Sequence, residues 1–224
     1  MKVQQHDGSI IEIDKSSPEA LEVLNHSTSH LLAQAVKELY PNAQFGYGPA
    51  IENGFYYDID FGDKVLVEED LAAIEKRMRE LASKDFKIVR KEVNKEEALD
   101  IFKNNPYKLE LIKEINEDIT IFTQGDFVDL CRGPHIMSTA LIKHFKLLSI
   151  AGAYWRGDSK NKQLTRIYGT SWFSAEELKN YLDLIEERKK RDHRLLGKQL
   201  DLFMISEYGP GFPFWLPTYL RVHG

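Results

Sequence analysis

Two short clusters in this sequence carry side chains that could do chemistry together. His26 and His30 are separated by three residues, and Cys131 and His135 repeat that spacing much later in the chain. Three imidazoles and one thiol can form a tetrahedral metal site. Imidazoles beside a thiol can also perform general acid–base catalysis near neutral pH without a metal. The residue types and their spacing leave both chemistries open.

The first cluster lies on a predicted helix. Ser17 as N-cap, Pro18 in the first turn and Pro41 as a stop signal predict a helix from about residue 17 to residue 40. The two histidines are one turn apart and share a face. An apolar stripe lies roughly opposite to them and consists of Leu21, Leu24, Leu31, Ala35 and Leu39. With that stripe in the core, both imidazoles are expected to point toward solvent or into a cleft.

The second cluster follows a predicted strand over residues 127–131, and Gly133–Pro134 predicts a turn that returns His135 toward Cys131. The other predicted elements are a hairpin over residues 2–13, strands from Phe55 and over 86–93, 119–123, 144–155 and 163–172, and helices over 67–83, from Asn94 and over 174–194. This irregular pattern predicts an α+β fold: a mostly antiparallel sheet packed with helices, followed by a long linker helix.

Composition limits the class of protein. A hydrophobic content of 42% and a charged content of 29% are ordinary for a globular chain. The single cysteine excludes an internal disulfide and favours a reducing compartment. No apolar run approaches the roughly 20 residues that span a bilayer. We therefore expect a cytoplasmic protein without a membrane partner.

Charge is distributed unevenly along the chain. Residues 143–166 contain six lysines and arginines against one acidic residue, although the whole chain has a net charge of −5. Such asymmetry is typical of a surface that faces a polyanion, and a solvated charged face is the alternative. Tyr154 and Trp155 lie in this segment and could stack on nucleobases, or could instead pack in the core.

Longer motifs around both clusters resemble the bacterial threonyl-tRNA synthetases. Asn25–Ala35 is similar to the HSxxHLL helix of that family, and Val128–His135 is similar to its second donor motif. Further matches follow in the same order at Gly48–Asp58, Ala151–Asp158, Arg166–Thr170, Lys190–Arg194 and Gly197–Phe203. The resemblance covers about residues 18–217.

The resemblance implies an organisation in four parts. Residues 1–16 would be a short hairpin, a vestige of or replacement for the ubiquitin-like module of the family. Residues 17–173 would be the editing domain, 174–200 a linker helix, and 201–224 a truncated start of the aminoacylation core. The ATP and zinc sites of the full-length family enzyme are expected to be absent from this chain. That enzyme is expected to be a homodimer, and this chain, without the core contacts, a monomer.

The resemblance also implies an activity. One methyl group distinguishes threonine from serine and gives only about 1–3 kcal/mol of discrimination, so a second, hydrolytic site is needed. In the family, this site hydrolyses serine mischarged on threonine tRNA. By motif position, the catalytic residues would be His26, His30, Lys108, Cys131 and His135. The substrate-binding residues would be Tyr57 and Asp129, together with Tyr154 and Arg156 from the basic segment.

Each of these residues has an expected role. His26 would position and deprotonate water, with Cys131 holding a second water, and no cofactor would be required. His30 and His135 would contact the ribose or the substrate amine. Lys108 would donate to the leaving oxygen or the terminal phosphate, and Asp129 would pair with the serine amine.

Two alternatives stay open. The four donors also resemble the zinc ligands of alanyl-tRNA editing domains, which makes a zinc-dependent deacylase with His26, His30, Cys131 and His135 as ligands the second enzyme hypothesis. The non-catalytic alternative is a tRNA-binding module. In each case the expected partner is the acceptor end of threonine tRNA.

Overall fold

The computed structural model describes residues 1–199, 203–205 and 213–215, with side chains through residue 191. The chain divides into two units, Met1–Leu178 and Lys179–Gly224. Every residue predicted to function lies in the first unit. The fold class is the predicted one: helices combine with sheets whose described strand pairs are all antiparallel.

The helices and strands have the following bounds. The helices are α1 (Pro18–Leu39), α2 (Asp70–Ala82), α3 (Lys95–Ile101), α4 (Pro106–Glu114) and α5 (Ala175–Gln199). The first strands are β1 (Lys2–Gln4), β2 (Ile10–Glu12), β3 (Gln44–Phe45), β4 (Ala50–Ile51), β5 (Gly54–Asp60) and β6 (Ile88–Val93). The later strands are β7 (Ile119–Gln124), β8 (Phe127–Leu130), β9 (His135–Ile136), β10 (His144–Tyr154), β11 (Gln163–Trp172), β12 (Phe203–Ile205) and β13 (Pro213–Trp215).

Three sheets build the first unit. The largest has the order β10-β11-β5-β3, with β4 added to β5. A second sheet has the order β6-β7-β8 and is followed by the turn from Cys131 to His135, here called the Cys-His turn. A third sheet has the order β2-β1-β9. Helix α1 packs against β5, β11 and α2. The first histidine cluster therefore lies in the middle of the unit.

Helix α1 begins as predicted but is buried more completely than its apolar stripe indicates. The Ser17 side chain accepts a hydrogen bond from the Ala20 amide, which satisfies a free N–H at the helix start. Leu24 and Leu31 are in the core, whereas Leu39 in the last turn is 41% exposed, contrary to the predicted stripe. His30, on the other side, is also buried. Because the helix is covered on both sides, its histidines face a cleft and not bulk solvent.

The predicted N-terminal hairpin is present and is paired with the second cluster. Strand β1 pairs with β2 and, along its other edge, with β9. In this register Gln4 lies opposite His135 and Val3 lies opposite Ile136. Val3 is fully buried. The hairpin thus supports the backbone that carries His135.

Local sequence signals are confirmed at other element boundaries. Asn94 and Glu97 form a complete capping box at the start of α3. Ser174 and Glu177 form the same arrangement before α5.

Most of segment 201–224, which was predicted to begin the aminoacylation core, lies outside the described residues. Its described residues form the paired strands β12 and β13. The four-part division stays a prediction. Within the described residues, no helix combines the length and the apolar character needed to cross a membrane.

Candidate functional site

A cleft of about 800 Å³ opens beside α1. Its walls are formed by α1, α4, the ends of β7 and β8, and the segment before β4. Six of the predicted site residues line it: His26, His30, Tyr57, Lys108, Asp129 and Cys131. His135 is buried directly behind them. A volume of this size is typical of small-molecule sites.

The two predicted donor clusters meet at the cleft floor. His26, His30, Cys131 and His135, here called the imidazole–thiol cluster, place one ligand atom each within 4.8 Å of one another. The Cys131 Sγ atom is 3.4 Å from His26 Nε2 and 3.2 Å from His135 Nε2. The spacing of the sequence motifs therefore correctly predicted a common site.

A tight turn after β8 makes this convergence possible. Gly133 has a φ angle of +81°, a region in which a side chain is strained. A Cβ atom at this position would lie 3.0 Å from the Phe122 ring. The Gly133 amide donates to Cys131 Sγ at 3.2 Å, so the turn also orients the thiol. Glycine is required here both by the backbone angle and by the available space.

Burial keeps the imidazole–thiol cluster uncharged. It lowers the pKa of His30 to about 3, although the nearby Asp129 carboxylate acts in the opposite direction. Burial also lowers the pKa of His26, partly offset by a hydrogen bond to the Pro134 carbonyl, and lowers that of His135 well below its usual value. The same effect raises the pKa of the Cys131 thiol to about 12. Near pH 7 the cluster contains neutral imidazoles and a protonated thiol.

A second group on the cleft floor is ionic. Lys108 Nζ lies 2.6 Å from Asp129 Oδ1, and both residues are only 2% exposed. The Tyr57 hydroxyl donates to Asp129 Oδ2 at 2.6 Å, and Lys108 Nζ donates to the Tyr57 oxygen at 3.2 Å. We call Tyr57, Lys108 and Asp129 the ionic cluster. It places a fixed positive charge beside the neutral histidines.

Short local contacts hold Lys108 in place. The Asn105 side chain accepts from the Tyr107 and Lys108 amides and so caps α4. The same side chain donates to the Phe45 carbonyl at 2.9 Å, which ties α4 to β3. The lysine therefore enters the cleft from a helix that is anchored at its first turn.

Asp129 connects the two clusters. Its Oδ1 accepts from Lys108 and from the Leu130 amide, and its Oδ2 accepts from Tyr57 and lies 3.3 Å from His30 Nδ1. Burial by itself would raise the pKa of Asp129, but the Lys108 ammonium and the other partners hold it below the usual value. Since each oxygen already has two partners, pairing with a serine amine would require one of these contacts to be given up.

The predicted nucleobase contacts lie apart from this floor. Tyr154 is 43% exposed but does not line the cleft. Trp155 is 4% exposed and packs against Tyr107 and Leu164, so of the two alternatives for this residue the structure shows packing in the core. Arg156 is also outside the cleft wall, and it pairs with Glu110 and Glu114, each at 2.8 Å.

The predicted polyanion-facing surface is largely neutralised. Four of the six basic residues of segment 143–166 form ion pairs with acidic residues from earlier in the chain. The pairs are Lys146–Glu75, Arg156–Glu114, Lys162–Asp60 and Arg166–Asp58. The net charge of the segment therefore overstates its attraction for phosphates, because the partners are distant in sequence and near in space.

Ser27 is a site residue that the sequence analysis did not single out. It is fully buried on α1, and its Oγ lies 2.9 Å from His135 Nδ1. The sequence feature that could have identified Ser27 is its position directly after His26, inside the motif that resembles the synthetase helix. A small polar residue between two functional histidines can reach the partner cluster across the helix face.

Comparison with known proteins agrees with the site geometry. Residues 119–168 match the family described as "Threonyl and Alanyl tRNA synthetase second additional domain". This range contains β7, β8, the turn from Cys131 to His135, all of β10 and the first part of β11.

Similarity extends over nearly the whole chain. A threonine–tRNA ligase of Acholeplasma laidlawii is 55% identical over 95% of this chain and 34% of its own length. Corresponding ligases of Phytoplasma australiense and Staphylococcus carnosus are 58% and 56% identical, over 94% and 96% of this chain and 33% of their own length. The chain thus spans about one third of the length of the curated relatives that it matches. Over that third, the chain is homologous to these threonine–tRNA ligases.

Proposed function

We propose that this chain hydrolyses the ester of threonine tRNA mischarged with serine, using water activated without a metal. The observation that carries the proposal is the convergence of neutral imidazoles and one fixed ammonium group on the floor of a single cleft. Family membership supports tRNA as the substrate class. The acceptor end of threonine tRNA would occupy the cleft, in a cytoplasmic setting.

His26 is the proposed water-positioning base. It is only half-buried and lines the cleft, whereas His135 lies behind the cleft wall. Burial lowers its pKa, so the ring is neutral near pH 7 and can accept a proton from water. Cys131 would act as a hydrogen-bonding group and not as a nucleophile, because its thiol has a pKa raised to about 12.

Lys108 is the proposed stabiliser of negative charge. An ammonium group has three N–H donors, and two of them are directed at Asp129 and Tyr57. The third has no partner among the described residues and would donate to the leaving ribose oxygen or to the oxyanion of the tetrahedral intermediate. The ionic cluster thus holds a donor in place before the substrate arrives, while Asp129 acts as a positioning residue.

A deacylation assay tests the proposal. The chain is incubated with Ser-tRNA(Thr) and with Thr-tRNA(Thr), and the lifetime of each ester is measured. We expect the wild-type chain to shorten the serine ester lifetime, and His26→Ala to reduce that rate by about 10²- to 10⁴-fold. Cys131→Ala should reduce it less, since the thiol only orients water.

His6→Ala is the matched control because His6 is exposed and outside the site. It should retain the wild-type rate. Serine ester lifetimes that are unchanged by the wild-type chain would contradict hydrolysis. If binding to the tRNA persisted in that case, the chain would be a non-catalytic tRNA-binding module.

Zinc-dependent hydrolysis is the second candidate, because the ligand atoms of the imidazole–thiol cluster fit a metal site. His26, His30, Cys131 and His135 are the four candidate ligands; a catalytic ion would be held by three of them and would supply an acidified water. Metal analysis of protein purified without added zinc, followed by assay with a chelator, separates the candidates. The metal-free proposal expects no stoichiometric zinc and an unchanged rate with chelator. Bound zinc together with loss of activity on chelation would overturn it.

A further inference from the structure

Ser27 joins the histidine helix to the strand that carries His135. Its side chain is fully buried on α1. The Oγ atom lies 2.9 Å from His135 Nδ1 and accepts a hydrogen bond from the Ile136 amide at 3.1 Å. One hydroxyl therefore contacts both the ring and the adjacent backbone of the second donor motif.

Counting donors and acceptors fixes the direction of the Ser27–His135 bond. The Ile136 amide is a donor, so Ser27 Oγ is its acceptor. The hydroxyl has one hydrogen of its own, and within the described part of the chain His135 Nδ1 is the acceptor in reach. Nδ1 must then carry a lone pair. In a neutral imidazole the proton is consequently on Nε2.

This tautomer sets the direction of the remaining bonds in the cluster. His135 Nε2–H points at Cys131 Sγ, 3.2 Å away, and the sulfur also accepts from the Gly133 amide. The thiol hydrogen is then available for His26 Nε2 at 3.4 Å, and a water bound for deprotonation would replace the thiol as the donor to this nitrogen. The bonds form one directed chain that starts at Ser27.

We propose that Ser27 is a positioning residue that holds His135 in the Nε2–H tautomer and thereby directs the Cys131 thiol toward His26. With the opposite tautomer, His135 Nε2 would compete with His26 for the thiol hydrogen. Ser27 thus determines which of the two histidines, His26 or His135, accepts the hydrogen bond from the Cys131 thiol. The consequence for hydrolysis rests on the function proposed above, whereas the tautomer itself does not.

The same assignment bears on metal binding. A metal ligated through His135 Nε2 requires the ring proton on Nδ1. That proton would point at Ser27, whose own hydroxyl hydrogen would then lack an acceptor within the described residues. A buried hydroxyl without a partner is unfavourable. The contacts of Ser27 therefore match the metal-free form of the cluster.

Nitrogen NMR of the full chain labelled with ¹⁵N-histidine measures the tautomer directly. At pH 7.5 we expect the His135 signals of the wild-type protein to show a protonated Nε2 and an unprotonated Nδ1. Signals of the Nδ1–H form would overturn the proposal, whatever the activity. This measurement requires no variant and is independent of whether the chain hydrolyses any ester.

Ser27→Ala and Ser29→Ala form a matched pair on the same helix. Ser29 is also buried, but its hydroxyl donates to the His26 and Gly48 carbonyls and forms no hydrogen bond with an imidazole of the described residues. Ser27→Ala should give a mixture of His135 tautomers. It should also lower kcat for deacylation about 10- to 100-fold with KM unchanged, which is the loss seen when the partner that orients a histidine ligand is removed. Ser29→Ala should leave the His135 signals as in the wild type.

Ser27→Thr retains the hydroxyl and should restore the Nε2–H signals. A Ser27→Ala protein that keeps the wild-type tautomer would contradict the positioning role even if its activity fell. If the wild-type tautomer is as expected but no ester is hydrolysed, the proposed function fails and the role of Ser27 in the cluster stands.

Discussion

The imidazole–thiol cluster and the ionic cluster share one cleft floor, yet burial has left the first neutral and the second charged. His30 and Lys108 are both almost inaccessible to solvent, at 5% and 2% exposure. Removal from water disfavours the charged form of each group. Lys108 has a carboxylate at 2.6 Å that compensates for this cost. His30 lies 3.3 Å from the same carboxylate, but this contact offsets the effect of burial only in part, and the pKa of His30 falls to about 3. Two equally buried groups thus differ in charge although they share one counter-charge.

The difference gives the two clusters complementary tasks. A neutral imidazole can accept a proton from water, which a protonated one cannot do. An ammonium group held by a buried carboxylate can stabilise developing negative charge without moving. His30 lies between the ionic cluster and His135. Its Nδ1 atom is 3.3 Å from Asp129 Oδ2, and the centroid of its ring is 4.5 Å from the centroid of the His135 ring.

The largest expected effect comes from breaking the ionic cluster. Lys108→Met retains the bulk of the side chain but leaves the Asp129 carboxylate buried without its counter-charge. We expect the free energy of unfolding to fall by about 3–5 kcal/mol, measured by urea denaturation at pH 7.5. Combining it with Asp129→Asn should cost less than the sum of the two single variants, because the isolated charge is gone.

Lys103→Met provides the surface control for this comparison. Lys103 pairs with Asp100, but both side chains are more than half exposed, at 65% and 77%. Its denaturation midpoint should match the wild type. A Lys108→Met protein as stable as this control would show that the buried pair contributes nothing to folding.

An intermediate effect is expected from lowering the pH, and it concerns the imidazole–thiol cluster. The His30 pKa is about 3 in the folded protein, against about 6.5 in an unfolded chain. Between these values the unfolded chain binds a proton that the folded protein does not, so stability falls as the pH decreases. The expected slope is up to about 1.4 kcal/mol per pH unit for each histidine of this kind.

Urea denaturation at pH 7.5, 6.5 and 5.5 measures this slope. The ionic cluster responds to pH in a different range. Because the pKa of Asp129 is lowered from its usual value of 3.8, the stability that this carboxylate contributes is present above about pH 3.8 and is lost only as the pH falls below that value. The range from pH 6.5 to pH 5 therefore reports mainly on the histidines. Equal stability at pH 7.5 and 5.5 would contradict neutral burial of the cluster.

The smallest effect is expected at the basic segment. Arg156→Ala removes two ion pairs, with Glu110 and Glu114, that lie at the protein surface. Such pairs are screened by water and salt, so the denaturation midpoint should stay within error of the wild type. A large loss of stability would show that surface pairs in this protein resemble the Lys108–Asp129 pair.

Much of the local structure could be predicted because its causes are local in sequence. The start of α1 at Ser17, the capping box at Asn94 and the strands β10 and β11 follow from side chains within a few residues of one another. Helix α4 was not predicted as an element. Its nine residues carry a weak apolar pattern, and its orientation depends on the bond from Asn105 to the distant Phe45.

The candidate site divides in the same way. The spacing within each donor motif predicted that His26 and His30, and Cys131 and His135, are pairs, and the structure confirms that the pairs meet. Tyr57, Lys108 and Asp129 were assigned only through family resemblance, since no spacing links three residues on β5, α4 and β8. For Trp155 the sequence left a base contact and core packing open, because the exposure of a side chain depends on what packs against it.

The sequence by itself determined most of the elements, the α+β class, the two donor pairs and the resemblance to threonyl-tRNA synthetases, because periodicity, capping and motif order are properties of neighbouring residues. Only the tertiary structure decided that α1 is buried on its histidine side, that the basic segment is neutralised and that Lys108 is paired. It also decided the direction of the hydrogen bonds from Ser27 through Cys131. Charge state and tautomer depend on desolvation and on partners that folding brings close, and these are set by residues far apart in the chain.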